Sequence, residues 1–287
     1  LQKMRLNDLY LKIADLLDKP FIDAPKLESK IFICKILNIS TEEFLAQRGE
    51  KKVDKKFVDK ILKIVKKRAR GKSLAELVGE KEFYGMKFIV SQDVLIPRSD
   101  TELIIDIFLE NCKSDDRARV LEIGSGSGVI PIVIASKTDN VVIDSIDVSY
   151  KAIKIAKKNM ALNDISPDKI NFYHKNVLKF NPKFDYDCIV SNPPYIPTDR
   201  AKRLLKSKTI DDPRIALDGG KDGCKFYRII KKIGDRRLKN GGKIILEHGF
   251  DQKEDLLKIF SDGYKPLCYK DLAGLDRAVL FEKTSIY

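Results

Sequence analysis

Metal-binding and disulfide-forming residues are scarce in this sequence. It contains five cysteines, which are scattered and include no Cys-x-x-Cys pair, and two histidines, His174 and His248. An odd number of dispersed cysteines argues against a disulfide framework and against a zinc site, and it is typical of the reducing cytosol. We therefore expect a cytoplasmic protein that binds no metal ion.

Long apolar segments are missing as well. The longest runs, such as residues 129–135, are much shorter than the roughly 20 residues that a membrane-spanning helix needs. Charged and apolar side chains alternate at the start of the chain, so we expect no signal peptide. With 43% hydrophobic and 34% charged residues, the composition is that of a globular protein without a membrane partner.

Positive charge is concentrated in the first quarter of the chain. The net charge is +13, and residues 1–75 hold 19 Lys and Arg against 10 Asp and Glu. A basic segment is compatible with a nucleic-acid or ribonucleoprotein partner. We favour the alternative that lysines decorate solvated helix faces, because net charge reports on association and not on fold.

Residues 1–72 show helical periodicity. Apolar residues recur at spacings of three and four, Ser40 with the acidic pair 42–43 predicts a helix start, and a Lys-rich helix is predicted at about 53–70. Each predicted helix has one apolar face that must be covered by another element. We therefore expect a small all-helical N-terminal domain over residues 1–72.

The pattern changes to short strand-like segments in residues 73–98. A β-hairpin that turns near Tyr84 and Gly85 is predicted, and we interpret this region as a connector between domains. Ser99 and Glu102 then have the spacing of a capping box before an apolar helix.

Strands and helices alternate from residue 99 to residue 287. This alternation predicts an α/β domain with a mostly parallel, Rossmann-like sheet that is covered on both faces. Ligands bind such sheets at the carboxyl ends of the strands, near the point where the strand order reverses. The loops that follow the strands are therefore where functional residues are expected.

A glycine-rich loop, Glu122-Ile-Gly-Ser-Gly-Ser-Gly128, follows the first of these strands. The third glycine of a dinucleotide fingerprint would fall at Val129, and no Gly-Lys-Ser/Thr follows, so neither a dinucleotide site nor a P-loop is indicated. Glycine allows backbone N–H groups to approach a ligand closely. The loop suits a nucleoside with an uncharged or zwitterionic tail, although glycine turns after strands are common. The candidate binding residues are Gly124, Ser125, Gly126, Ser127 and Gly128.

Asp147 ends the second strand, 19 residues beyond Gly128, where a carboxylate can accept hydrogen bonds from both ribose hydroxyls. Asp144 is the other candidate for binding the ribose, but it lies within the strand and not at its end. The alternative role for Asp147 is to cap the following helix, and Ser149 is better placed for that. After the third strand, the Asn176 side chain and the Val177 backbone N–H could meet an adenine edge.

The fourth strand ends in Asn192-Pro-Pro-Tyr195. Two consecutive prolines stop the strand and fix a rigid turn, so the Asn192 side chain and the Pro193 carbonyl offer two acceptors to an –NH₂ group. Tyr195 adds a flat face on which a planar amide or base can stack. We interpret Asn192, Pro193, Pro194 and Tyr195 as catalytic residues, with Asn192 also bordering the cofactor, against the alternative of a purely structural turn.

These acceptors suit methyl transfer to a nitrogen that is a poor nucleophile. An amide lone pair is delocalised, and the associated rotation barrier is about 18–20 kcal/mol. Holding both hydrogens draws the nitrogen towards pyramidal geometry and directs its lone pair, and orientation of this kind can contribute roughly 7–11 kcal/mol. No strong general base is needed, because the proton can leave after the transfer.

The combination of motifs resembles the release factor glutamine methyltransferase family, which is related to the HemK proteins. The resemblance extends over essentially the whole chain. Besides the two core motifs, it is carried by Leu95-Ile-Pro-Arg-Ser-Asp-Thr-Glu102, Asp147-Val-Ser149, Asp212-Pro-Arg-Ile-Ala-Leu-Asp-Gly-Gly-Lys-Asp-Gly223, Glu247-His-Gly249 and Asp271-Leu-Ala-Gly-Leu-Asp-Arg277. One departure, the lack of a proline at Ser73 and of a tyrosine at Glu76, bears on domain docking and not on the reaction.

The resemblance implies a class I methyltransferase fold with a helical N-terminal domain joined by the hairpin. It implies that residues 124–128 and Asp147 bind S-adenosylmethionine, that residues 192–195 hold the glutamine of the Gly-Gly-Gln loop of a class I release factor, and that the helical domain helps to dock this protein. Arg98 and Thr101 are then expected near the cofactor. We expect a monomer.

Two other functions fit part of the pattern. A nucleic-acid methyltransferase acting on the exocyclic amine of adenine or guanine could use the same Asn-Pro-Pro-Tyr turn, but the few aromatic residues of the N-terminal domain lie mostly on apolar faces. A binding module that has kept the fold without catalysis is the second alternative, and the intact motifs argue against it.

Overall fold

The computed structural model describes residues 3–112, 117–206 and 212–284. The chain divides into two compact units, Leu1–Gly79 and Glu80–Tyr287. This division falls inside segment 73–98, so part of the expected connector belongs to each unit.

The first unit is a helical bundle around its own apolar core, which includes Leu9, Ile13, Phe32 and Ile61. Its helices are α1 (Leu6–Leu16), α2 (Pro25–Leu37), α3 (Thr41–Gln47), α4 (Lys55–Arg68) and α5 (Leu74–Val78). The predicted start of α3 is confirmed, since the Ser40 side chain accepts the Glu43 N–H and the Glu43 carboxylate accepts the Ser40 N–H.

The expectation of an all-helical unit is incomplete. Strands β1 (Lys3–Arg5) and β2 (Lys52–Asp54) pair in antiparallel fashion within this bundle. Three-residue strands are too short to show the alternation by which a strand is recognised in a sequence.

The second unit contains a hairpin and a seven-stranded sheet. The hairpin strands are β3 (Glu80–Phe83) and β4 (Met86–Ile89). Tyr84 and Gly85 form the turn where it was predicted, and both have positive φ, as a two-residue hairpin turn of type I′ requires. The sheet strands are β5 (Ala118–Ile123), β6 (Val141–Asp147), β7 (Ile170–His174), β8 (Tyr186–Ser191), β9 (Leu238–Glu247), β10 (Tyr264–Lys270) and β11 (Asp276–Lys283).

The strand order is β10-β11-β9-β8-β5-β6-β7, and the pairs from β9 to β7 are parallel whereas β11 runs antiparallel to both its neighbours. The predicted mostly parallel sheet is therefore confirmed. The chain runs outwards from β5 to β7 and then returns to β8 on the other side of β5. The order thus reverses between β5 and β8, which is where such sheets bind ligands.

Helices cover both faces of this sheet. They are α6 (Glu102–Asn111), α7 (Val129–Lys137), α8 (Tyr150–Leu162), α10 (Lys225–Arg237) and α11 (Lys253–Ile259), whereas α9 (Thr198–Lys206) packs against the 3₁₀ turn at Arg214–Ala216. Consecutive residues of β5 point to opposite faces, so Val120 packs in one apolar cluster with Ile132 while Leu121 packs in the other with Tyr227. Both faces of the central strands are therefore buried, as the sequence predicted.

The predicted capping box before α6 is wrong. Ser99–Thr101 forms a 3₁₀ turn, and the Glu102 carboxylate accepts the backbone N–H of Tyr84 at 2.9 Å instead of capping its own helix. The hairpin turn supplies a donor from a distant part of the chain, which local spacing could not reveal.

Candidate active site

A cavity of about 790 Å³ opens at the carboxyl ends of β5, β6 and β8. Its volume is typical of sites for small molecules and cofactors. Most of the residues singled out in the sequence line it, namely Gly124, Ser125, Gly126, Ser127, Asp147, Asn176, Val177, Asn192, Pro193 and Pro194. Gly128 and Tyr195 are not among its lining residues. The structure thus brings loops from four separate strands to one crevice.

The glycine loop is built differently from the prediction that its N–H groups would face a ligand. The N–H groups of Gly124 and Ser125 donate to the Ile146 carbonyl, at 2.8 and 3.2 Å, and that of Gly126 donates to Asp147 Oδ2 at 2.9 Å. These amides therefore bind the end of β6. Gly124 and Gly126 have φ values of +89° and +53°, so glycine is needed here for the tight turn that shapes the cavity.

Gly128 contributes to helix packing. It precedes α7, and a Cβ at this position would lie 3.0 Å from the Cβ of Ala156 on α8. A side chain here would push the two helices apart.

Asp147 combines a structural and a binding geometry. Its Oδ2 accepts the Gly126 N–H and its Oδ1 accepts the Ser149 N–H at 2.8 Å. Burial raises the pKa of the carboxyl, although these two N–H groups act in the opposite direction. A carboxylate oxygen can accept more than one hydrogen bond, so both oxygens still have acceptor capacity towards the cavity that Asp147 lines.

The rival carboxylate, Asp144, is bound within the domain. It pairs with Arg119 at 2.8 Å and accepts the Tyr186 hydroxyl at 3.1 Å. Its side chain is buried by these contacts and does not line the cavity.

Asn176 caps the 3₁₀ turn Val177–Lys179, because its Oδ1 accepts the Leu178 N–H at 2.9 Å. Towards the cavity, Asn176 can offer a nucleobase its Nδ2 donor and the second lone pair of its Oδ1. Leu178 and Ile215 add apolar surface to the same cavity.

Asn192 is held by Thr101, for which the sequence analysis predicted only a position near the cofactor. Its Nδ2 donates to Thr101 Oγ1 at 3.0 Å, and the Thr101 hydroxyl donates to Glu247 Oε2 at 2.7 Å. One of the two amide hydrogens is thus bound by the protein, and Oδ1 is the acceptor of this side chain.

Tyr195 contacts the protein at both its polar groups. Its hydroxyl donates to Glu247 Oε1 at 3.4 Å, and its carbonyl accepts Gln252 Nε2 at 2.9 Å. Burial raises the pKa of its hydroxyl, so the phenol stays neutral. The stacking role predicted for the ring stays a prediction.

The turn rests closely on Gly219 and Gly223, which the sequence reasoning did not single out. A Cβ at Gly219 would lie 2.7 Å from the Pro194 carbonyl oxygen, and one at Gly223 would lie 2.4 Å from that of Tyr195. The only sequence signal for these two glycines was that both belong to segment 212–223, which carries the family resemblance. Thr101 and Glu247 likewise belong to segments that carry it, residues 95–102 and 247–249.

No group of three or more His, Cys, Asp or Glu side chains in the part of the chain that the structure describes could hold a metal ion. The polar groups that line this cavity include carboxylates, amides, hydroxyls and carbonyls, together with the cationic side chains of Lys175, Arg214 and Lys225.

Comparison with known proteins identifies the family. The family model described as Methyltransferase small domain matches residues 100–222. The release factor glutamine methyltransferase of Coxiella burnetii is 35% identical, covering 89% of this chain and 91% of that protein. The bifunctional methyltransferase of Rickettsia felis is 33% identical over 98% of this chain, which spans 58% of that longer protein.

A solved structure shares the fold. The methyltransferase from Pyrococcus furiosus matches with a TM-score of 0.50 and 22% identity, covering 71% of this chain and 92% of that one. Since the identity to the Coxiella burnetii protein extends over almost the full length of both sequences, this chain belongs to the release factor glutamine methyltransferase family.

Proposed function

We propose that this protein transfers a methyl group from S-adenosylmethionine to the side-chain amide nitrogen of the glutamine in the Gly-Gly-Gln motif of class I peptide chain release factors. The observation that carries the proposal is that Asn192 and Pro193 line the same cavity as Gly124 and Asp147. The turn that would bind the target –NH₂ group and the residues that would bind the nucleoside therefore line one cavity.

The cavity fits S-adenosylmethionine. Gly124 and Gly126 line it with backbone alone, because their positive φ favours glycine, and Asp147 offers acceptors for ribose hydroxyls. Leu178 and Ile215 supply apolar surface for a base. When bound, this cofactor would supply a methyl group on a positively charged sulfur, whose carbon a nitrogen lone pair can attack while the carbon–sulfur bond breaks and leaves a neutral thioether.

The residues of the turn prepare the target nitrogen. Asn192 Oδ1 and the Pro193 carbonyl accept the two amide hydrogens of the substrate glutamine, which orients the lone pair towards the methyl group. Pro194 fixes the backbone of the turn, and Tyr195 borders the planar amide. The nitrogen loses its proton after the new carbon–nitrogen bond has formed, so these residues bind and orient without acting as a strong base.

The remaining assignments are part of the same proposal. The helical domain of residues 1–72 docks the release factor, the segment 73–98 connects it to the methyltransferase domain of residues 99–287, and the protein acts as a cytoplasmic monomer. The division of the chain into two compact units, Leu1–Gly79 and Glu80–Tyr287, supports this proposal. Among the described helices, none has the length and apolar character that crossing a membrane would demand.

Methylation of a base amine is the second candidate, because the same turn could grip an exocyclic –NH₂ group. The family membership favours the protein substrate over nucleic acid.

The test is to incubate the protein with labelled S-adenosylmethionine and either a purified class I release factor or total RNA. We expect label in the release factor, and mass spectrometry to locate one added methyl group on the Gly-Gly-Gln glutamine. A release factor with glutamate at that position is the matched control. Label in RNA, or in the glutamate variant, would overturn the proposal.

A further inference from the structure

Three side chains from distant parts of the sequence form one hydrogen-bonded chain beside the cavity. Asn192 Nδ2 donates to Thr101 Oγ1 at 3.0 Å, and Thr101 Oγ1 donates to Glu247 Oε2 at 2.7 Å. Asn192 follows β8, Thr101 lies in the 3₁₀ turn before α6, and Glu247 ends β9. Thr101 and Glu247 are only 3% and 2% exposed, so water does not substitute for these contacts.

The direction of these hydrogen bonds fixes the orientation of the Asn192 amide. A hydroxyl has one hydrogen, and Thr101 gives it to the ionised Glu247 carboxylate. Towards Asn192, the Thr101 oxygen can therefore only accept, and only the –NH₂ end of the amide can satisfy it. A 180° rotation of the amide would place Asn192 Oδ1 against an oxygen with no hydrogen between them, which is unfavourable in a buried site.

We propose that Thr101 and Glu247 are positioning residues that hold the Asn192 amide with its oxygen available to the target –NH₂ group. This inference rests on the proposed function, since methyl transfer needs an acceptor and not a donor at that position. Asn192 touches the substrate, whereas Thr101 and Glu247 act through it.

Glu247 stabilises the turn at its other end as well. Its Oε1 accepts the Tyr195 hydroxyl at 3.4 Å, so one carboxylate contacts the first residue of the motif through Thr101 and the last one directly. Among the described residues, other charged or titratable groups that interact with Glu247 include Arg277, Asp100 and the Tyr227 hydroxyl. The Glu247 carboxylate thus stabilises both ends of the turn through hydrogen bonds.

The ionisation state of Glu247 decides which way the hydrogen bonds between Glu247, Thr101 and Asn192 are donated. Burial raises the pKa of Glu247 to about 7, while the Thr101 hydroxyl and Arg277 lower it and Asp100 raises it further. Below this pH the protonated carboxyl can donate to Thr101, which leaves the Thr101 hydroxyl hydrogen able to bind Asn192 Oδ1. The opposite amide orientation then becomes accessible, so kcat should rise with pH through about 7 and level off above it.

The first experiment compares Thr101→Val with Thr101→Ser. Valine keeps the shape but removes the hydroxyl, and we expect kcat to fall roughly 100-fold with the affinity for S-adenosylmethionine nearly unchanged. Serine restores the hydroxyl and should recover most of the rate. Thr138→Val is the matched control, because Thr138 lies just before β6, at the amino ends of the parallel strands and away from the cavity. Equal loss in the valine and serine variants, or no loss in either, would overturn the proposal.

The second experiment does not depend on methyl transfer, so it separates this inference from the proposed function. In protein labelled with ¹⁵N-asparagine, the Asn192 side-chain signal is identified by its loss in Asn192→Asp. We expect its –NH₂ hydrogens to exchange slowly with solvent in the unmodified protein and in Thr101→Ser, and much faster in Thr101→Val. Unchanged exchange in Thr101→Val would contradict the proposal even if the enzyme were active.

The third experiment covers the case in which Thr101→Val fails to fold. Glu247→Gln keeps the shape and can still accept the Thr101 hydrogen through its carbonyl, but it cannot ionise. We expect the rise of kcat near pH 7 to disappear in this variant. An unchanged pH profile would show that Glu247 does not control the turn.

Discussion

The carboxylate of Asp147 accepts the backbone N–H of Gly126 at 2.9 Å, and this contact joins the end of β6 to the loop that follows β5. Its other oxygen accepts the Ser149 N–H at 2.8 Å, at the start of α8. One side chain therefore shapes the glycine loop and faces the cavity that we assign to the cofactor. Loss of the Asp147 side chain should therefore weaken cofactor binding in two ways, by releasing the glycine loop and by removing a hydrogen-bond acceptor from the cavity.

We expect Asp147→Ala to weaken S-adenosylmethionine binding by at least about tenfold, because hydrogen bonds to a charged group are worth roughly 1.5–3 kcal/mol each. Calorimetry measures this directly. Asp139→Ala is the matched control, since the Asp139 side chain is fully exposed on the surface. Tight binding in Asp147→Ala would remove this residue from the cofactor site.

Asn192→Ala should show the opposite division of effects. It removes an acceptor for the target amide, so we expect kcat to fall on the order of 10²–10³-fold, as for the loss of one oriented group in other active sites. The dissociation constant of S-adenosylmethionine should change less than about threefold. Asn181→Ala, at an exposed position, serves as control. Loss of cofactor binding before loss of turnover would mean that the roles are assigned wrongly.

Glu122 should make the stability of the protein depend on pH. It is fully buried below the glycine loop, where Ser145 donates to its Oε2 and Oε1 has no partner among the described residues. Burial raises its pKa from 4.5 to about 8. Between these values the folded state keeps a proton that the unfolded state releases, so the free energy of unfolding decreases as pH rises through this window.

Glu122→Gln removes this titration. Relative to the variant, the unmodified protein should lose roughly 2 kcal/mol of unfolding free energy between pH 6 and pH 8, at about 1.4 kcal/mol per pH unit for one buried group. Urea unfolding without cofactor at several pH values is the measurement. Parallel stability curves for the two proteins would show that Glu122 is ionised throughout.

Gly223→Ala should impair the reaction without touching a substrate-binding group. The new Cβ would lie 2.4 Å from the Tyr195 carbonyl oxygen, so the Asn-Pro-Pro-Tyr turn must move. A displacement of about 1 Å can reduce kcat on the order of 100-fold. Gly241→Ala is the control, because Gly241 also has positive φ, +72°, but has open space around it. Equal rates in both variants would show that the turn tolerates displacement.

Local patterns predicted the parts of this fold that depend on local physics. The alternation of strands and helices, the turn at Tyr84 and Gly85, and the helix start at Ser40 all follow from residues that are close in sequence. Strands β1 and β2 were missed because each is three residues long and depends on its partner. The capping role assigned to Glu102 was wrong because Tyr84 competes for its carboxylate.

The same distinction holds for the cavity. Its lining after each strand was predicted because parallel strands bring their carboxyl ends to one edge. The supporting chain of Asn192, Thr101 and Glu247 was not predicted, since Thr101 and Glu247 are 146 residues apart. The direction of the Gly124 and Ser125 amides also depends on the neighbouring strand β6, which a glycine pattern does not encode.

The strands β5 and β8 lie side by side in the interior of the sheet, and the buried Ser191 hydroxyl joins their ends by donating to the Ile123 carbonyl at 2.6 Å, across 68 residues of sequence. Sheets open first at their margins, which here are β7 and β10. Fraying of those margins leaves the junction of β5 and β8 intact. Heating should therefore abolish the geometry around Asn192 only in the same cooperative transition that melts the whole domain.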